Sequence, residues 1–127
     1  MTRLELPVVV IPDRLRDALL DHGAEYEPRP RAGTGLRKMA DKACFTNSAC
    51  AAVSRPQLAY CEGIALTAGG FWLHHAWNVD ADDRAIDRTW REPGQQYVGV
   101  IVERAEVANA IARSRWFGGM FERDDAS

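Results

Sequence analysis

The chain has 127 residues, one domain's worth, with 46% hydrophobic and 27% charged residues, the proportions of an ordinary globular protein. Its net charge of −2, with arginines interleaved among acids, argues against the basic face that a nucleic-acid binder carries. The apolar run LPVVVIP near the start is far too short for a bilayer span and lacks the flanks of a secretory signal, so a cytoplasmic protein with no membrane contact is expected.

Residues 4–10 (LELPVVV) are rich in β-branched side chains and fit a short strand. Pro12 and Asp13 then open a helix, RLRDALLDHG, with Leu15, Ala18 and Leu19 at helical spacing and Gly23 as its stop. Residues 24–36 (AEYEPRPRAGTGL) hold two prolines and two glycines and read as a loop. Residues 37–54 (RKMADKACFTNSACAAVS) read as helical up to Pro56, beginning either near Arg37 or near Cys44.

From Gln57 the apolar period changes to two. QLAYCEGIAL reads as a strand, TAGG as a turn and FWLHHAWNVD as the antiparallel partner. ADD is a second turn, RAIDRTW a third strand and YVGVIV a fourth, after the loop REPGQQ. Residues 103–117 read as a helix with Val107, Ala108, Ile111 and Ala112 inward, and the tail FERDDAS is expected to fray. A helix, an antiparallel meander and a helix predict one α+β domain over residues 1–127. Its sheet is mainly antiparallel, with four to five strands and a Cys-bearing helix packed on it.

The odd count of three cysteines, with no CxxC, argues against a disulfide framework and against a zinc knuckle. Cys44 lies near the N-terminus of a small-residue helix, where backbone N–H groups favour a thiolate and can hold an oxyanion. Asn47, one turn on, is either an added donor or a solvated amide. Cys50 and Cys61 sit on apolar stretches and read as packing residues.

A TAGG turn of two or four loop residues pairs Leu66 with Phe71 and therefore Glu62 with His75. An acid facing an imidazole on an apolar face would fix the ring's tautomer and raise its pKa, or serve as a purely structural pair. Asp87 is the second acid. A three-residue ADD turn pairs it with Trp77 and puts it on the His75 face, whereas a two-residue turn puts it on the His74 face. His74 points away from His75, so the two cannot easily share a metal, and no third ligand is evident. The GTG at 33–35 lacks the GK[ST] of a phosphate loop. Arg29, Arg31, Arg37 and Lys38 read as a solvated surface or as contacts to an acidic group.

Cys44, then HAW at 75–77, then DRT at 87–89 resembles the core of the transglutaminase-like branch of papain-type cysteine enzymes, whose strings are H-x-W and D-x-T. CFTN, YCEG, HHAWNVDADD and IDRTW together also resemble small bacterial and phage proteins. The resemblance covers about residues 44–100. It implies Cys44 as nucleophile, His75 as base and Asp87 as orienting acid. Glu62 departs from the family pattern as an additional acid that could share or take over the orienting role, and Asn47 and Trp77 are the other supporting residues. The implied activity is thiol-based acyl chemistry on a peptide, protein or small amide or ester, by hydrolysis, deamidation or transfer and without a cofactor. The competing expectations are a non-catalytic protein-binding module on the same scaffold, phage-related, and a small-molecule binding domain built on the aromatic face.

Overall fold

A computed structural model describes residues 6–113 and 117–121. Three helices and five strands occur in the order α1 (Asp13–His22), β1 (Ala24–Tyr26), α2 (Cys44–Ser54), β2 (Ala59–Leu66), β3 (Trp72–Val79), β4 (Ala85–Ile86), β5 (Gln96–Val102) and α3 (Arg104–Arg113). The fold is α+β, as expected. No described helix is long and apolar enough to cross a membrane.

The strands form one antiparallel sheet in the order β1-β5-β2-β3-β4. The expected meander is therefore corrected at its last step: β5 returns past β4 to the free edge of β2, where Gly63 faces Gly99. A Cβ on Gly63 would lie 2.0 Å from the Val98 carbonyl oxygen, so these two strands approach closely only because Gly63 lacks a side chain. Beyond β1, Pro28 bridges Ala85 of β4, and Ala85 exchanges backbone hydrogen bonds with Glu27 and Arg29. These contacts draw the two outer edges together and curl the sheet.

The period-two pattern then decides what each face packs against. Tyr60, Ala76 and Val102 face α2 and α3 with Ala49, Ala52 and Val107, while Ile64 and Val98 receive Leu15 and Leu19 of α1. All three helices therefore cover one face, as the element order suggests. The opposite, inner face of the curl is filled by Cys61, Ala65, Trp77, Val79, Ala85 and Tyr97, with Trp90 and Tyr26 against them.

Several expected elements change. Residues 6–10 are not a strand: Val8 and Val10 point into solvent, while Leu6 and Val9 rest on the α1 cluster. The expected loop 24–36 contains β1, a strand too short to show a period. The third strand shrinks to Ala85–Ile86 because the chain bends at 88–92. On α3, Val107 is buried and Ile111 half-buried, but Ala112 is exposed and Ala110 takes the inward place. The expected helix end at 114–116 and the tail at 122–127 lie outside the described residues.

α2 begins at Cys44, which settles the open choice. Lys42 has φ +59°, outside the helical region, and the chain before it is tied to the bend after β4. Arg88 donates to the Arg37 carbonyl, and the Met39 N–H donates to the Arg88 carbonyl.

Candidate functional site

The β2–β3 hairpin sets which histidine meets which acid. Leu66 pairs with Trp72, so the loop has five residues, not two or four, and Glu62 lies opposite Ala76 while His75 lies opposite Gly63. The expected Glu62–His75 pairing is thus wrong by one residue, and a one-residue slip exchanges faces. The odd loop closes because the Thr67 N–H donates to the Phe71 carbonyl, Thr67 Oγ1 accepts the Phe71 N–H, and Gly70 adopts φ +92°. Phe71 is left exposed.

Glu62 is consequently the partner of His74. It is fully buried on the helix-covered face, where Oε2 accepts from His74 Nε2 at 2.9 Å and Oε1 accepts from the Tyr60 hydroxyl and the Met120 N–H. Burial and the adjacent carboxylate push the Tyr60 hydroxyl well up, which keeps it a donor. Gly119, at φ +109°, lets the backbone pass over this carboxylate, since a Cβ there would lie 2.8 Å from Oε2. Phe45 packs on the His74 ring with centroids 4.8 Å apart.

The second turn takes the three-residue form. Asn78 pairs with Ile86 and Val79 with Ala85, which continues the register to Trp77 and Asp87. Asp83 supplies the left-handed residue such a turn requires, at φ +59°, where Gly would be the easier choice. Asp80 Oδ1 accepts the N–H groups of Asp82 and Arg84 and holds the turn.

Asp87 therefore lies on the His75 side, and its Oδ2 accepts from His75 Nε2 at 2.8 Å. Both residues are buried, at 2% exposure. The D-x-T string has a local cause: Asp87 Oδ1 accepts the N–H groups of Thr89 and Trp90, an Asx turn that bends the chain after β4. Oδ2 also accepts the Tyr97 hydroxyl at 2.9 Å, and that oxygen accepts the Gly94 N–H. Each carboxylate oxygen thus has two donors.

Burial alone would favour a neutral His75. The hydrogen bond to Asp87, then the Cys44 side chain and the charges of both, outweigh it and raise the ring to about 9. Burial would also raise Asp87, but the His75 hydrogen bond and charge and the two backbone donors hold it below the ordinary carboxylate range. The ring is clamped by aromatic neighbours: Trp90 stacks on it at 3.8 Å and 16°, with Trp77 further along at 6.2 Å. Trp77 is fully buried in the inner core, where the absence of a side chain on Gly99 makes room for its indole.

Cys44, half-buried, stands at the first position of α2 and reaches the His75 ring. No side chain caps α2, and the first N–H to bond back along the helix is that of Asn47, to Ala43. The N–H groups of Cys44, Phe45 and Thr46 therefore have no helical acceptor. Asn47 is neither a solvated amide nor a free donor. It is buried, and its Nδ2 donates to the Ala40 carbonyl and to Thr89 Oγ1, tying α2 to the bend that carries Asp87.

Of the other cysteines, Cys61 is a core residue whose thiol burial pushes well up, but Cys50 is exposed, contrary to its expected packing role. Arg31 is not a surface cation. Its guanidinium donates to the carbonyls of Asp87, Trp90 and Arg91, so the first third of the chain buttresses the site. Arg29 pairs with Asp80 and Asp82, and Lys38 with Asp41. Among the described residues no three His, Cys, Asp or Glu side chains converge as metal ligands.

Sequence reasoning missed Tyr97 and underread Trp90. Tyr97 carries no motif and reaches Asp87 only because β5 returns to β2. Trp90 had a usable signal, since it directly follows the D-x-T bend.

Compared with protein-family models, with curated proteins and with solved structures, the chain has no significant match.

Proposed function

We propose that the protein carries out cysteine-dependent acyl chemistry on an amide or ester, with a core of the transglutaminase-like, papain-type kind. The observation that carries this reading is the placement of His75 between Asp87 and Cys44, its raised pKa enforced by both. A protonated imidazole beside a thiol is the ion-pair partner a thiolate nucleophile needs.

The Cys44 sulfur attacks the carbonyl carbon and forms the C–S bond. Uncapped first-turn N–H groups of α2 stabilise the oxyanion that develops. Asp87 holds Nε2, so the other ring nitrogen is free to exchange a proton with Cys44 and then with the leaving group. The leaving amine or alcohol departs with that proton, leaving a thioester. Water or an amine then attacks it, with His75 accepting the proton, and the C–S bond breaks to release the acyl product and return the Cys44 thiolate.

The test uses p-nitrophenyl acetate as acyl donor, with peptide mapping of acetylated cysteines. Cys44 is expected to acquire the acetyl group as p-nitrophenolate is released, and His75→Ala should slow this by about 100-fold or more. Cys50, which is exposed, is the internal control. Acetylation of Cys44 no faster than Cys50, or unchanged by His75→Ala, would overturn the reading.

A further inference from the structure

A cavity of about 480 Å³ opens at the far end of α2 from Cys44. The helix has 11 residues, so roughly 16 Å separates the two ends at 1.5 Å per residue. The cavity lining includes the apolar cluster of Leu36, Leu58 and Ile86, three arginines, Arg29, Arg55 and Arg84, and one acid, Asp80.

The charges in this lining are not balanced. Arg29 is neutralised by Asp80 and Asp82 at 2.8 and 2.9 Å. Asp80 is itself committed, with Oδ1 holding the turn and Oδ2 on Arg29. Among the described residues neither Arg84 nor Arg55 has a carboxylate within ion-pair distance. Arg84 is anchored by one donor to the Pro28 carbonyl, and its Nε–H is buried without an acceptor. Arg55 is exposed and lies close enough to Arg88 to help lower that group's pKa, after burial. Two arginines without a carboxylate partner lining one cavity beside an apolar cluster, in a chain of net charge −2, are a local accumulation, not a consequence of composition.

We propose that this cavity binds a small dianion, a phosphate or a dicarboxylate, through Arg55 and Arg84. The chemistry both sources share is two negative charges on oxygen, matched by two guanidinium forks suited to such acceptors. Any aliphatic body would rest on Leu36, Leu58 and Ile86. The site is separate from Cys44 and does not depend on the acyl-transfer reading.

The experiment is an amide NMR titration of the whole chain with sodium phosphate, with sodium succinate and with sodium acetate, slightly above neutral pH and at constant ionic strength set by sodium chloride. Saturable shifts in residues 29–36, 55–58 and 80–86 are expected with phosphate, succinate or both, and which of them binds identifies the source. Acetate should bind at least tenfold more weakly, and Arg55→Gln and Arg84→Gln should each weaken binding by about tenfold, the scale of one charge-assisted hydrogen bond. Arg14→Gln, exposed on α1 and outside the cavity lining, should change nothing. Arg55 is exposed, so Arg55→Gln decides the matter if Arg84→Gln fails to fold. Linear, unsaturated shifts, equal binding of acetate, or undiminished binding by Arg55→Gln would overturn the proposal.

Discussion

Tyr97 donates its hydroxyl hydrogen, at 2.9 Å, to the same Asp87 oxygen that holds His75. Burial, then the nearby Asp87 charge, pushes this hydroxyl far above its ordinary range, so it remains a donor at every working pH. It is also the acceptor for the buried Gly94 N–H. Tyr97→Phe removes both bonds while keeping the ring. The expected cost is about 1–3 kcal/mol in urea unfolding, with faster hydrogen exchange at Gly94. Unchanged stability and exchange would show that the hydroxyl holds neither partner.

His75 makes stability depend on pH at the alkaline end. The folded ring titrates near 9, above its ordinary 6.5, so the native state holds the proton more tightly than the unfolded chain does. The contribution is fully present below about pH 6.5 and is lost as pH rises through about 9. The scale is on the order of 3 kcal/mol. Urea midpoints measured across this window should fall in the wild type and stay flatter in His75→Gln. A wild-type midpoint as flat as the variant's would contradict the raised ring. Asp87, held low, acts at the acid end: its contribution is present above the ordinary carboxylate range and is lost as pH falls through its lowered value.

Glu62→Gln separates the two histidines. Glu62 bonds His74, Tyr60 and the Met120 N–H, and does not touch His75. The substitution should move the His74 ring resonances in NMR and leave the His75 resonances in place. Stability should fall by about 1–3 kcal/mol, because an amide cannot accept at both ends. A change confined to His75 would restore the other hairpin register.

Gly63→Ala tests the close approach of β2 and β5. The new methyl would sit 2.0 Å from the Val98 carbonyl oxygen and 2.6 Å from the Gly99 Cα, both backbone atoms that cannot rotate aside. A loss of about 3 kcal/mol or more is expected by thermal or urea unfolding. A near-neutral outcome would mean that the two strands are further apart.

Much of this was legible in the chain because it is local. The helix stop at Gly23, the period-two run from Gln57, and Cys44 placed before small residues follow from backbone preference and side-chain alternation. So does the rule that adjacent His74 and His75 point to opposite faces. The D-x-T string is local as well, since Asp87 bonds the two N–H groups that follow it. What sequence left open was parity. Each hairpin loop admits an odd or an even count, and one residue decides which face a side chain occupies. In the ADD turn the three-residue option holds; in TAGG an odd loop stands where an even one is the simpler reading, which moves Glu62 from His75 to His74.

Residue types and their order therefore determined that a thiol, two imidazoles and two buried acids belong to one α+β unit. Only the tertiary structure decided how they pair. The return of β5 to β2, which brings Tyr97 to Asp87, and the Arg31 clamp on the Asp87 bend are contacts between segments far apart in the chain. Such contacts depend on which edges and faces are left to be covered after the local elements have formed. No window of neighbouring residues carries that information.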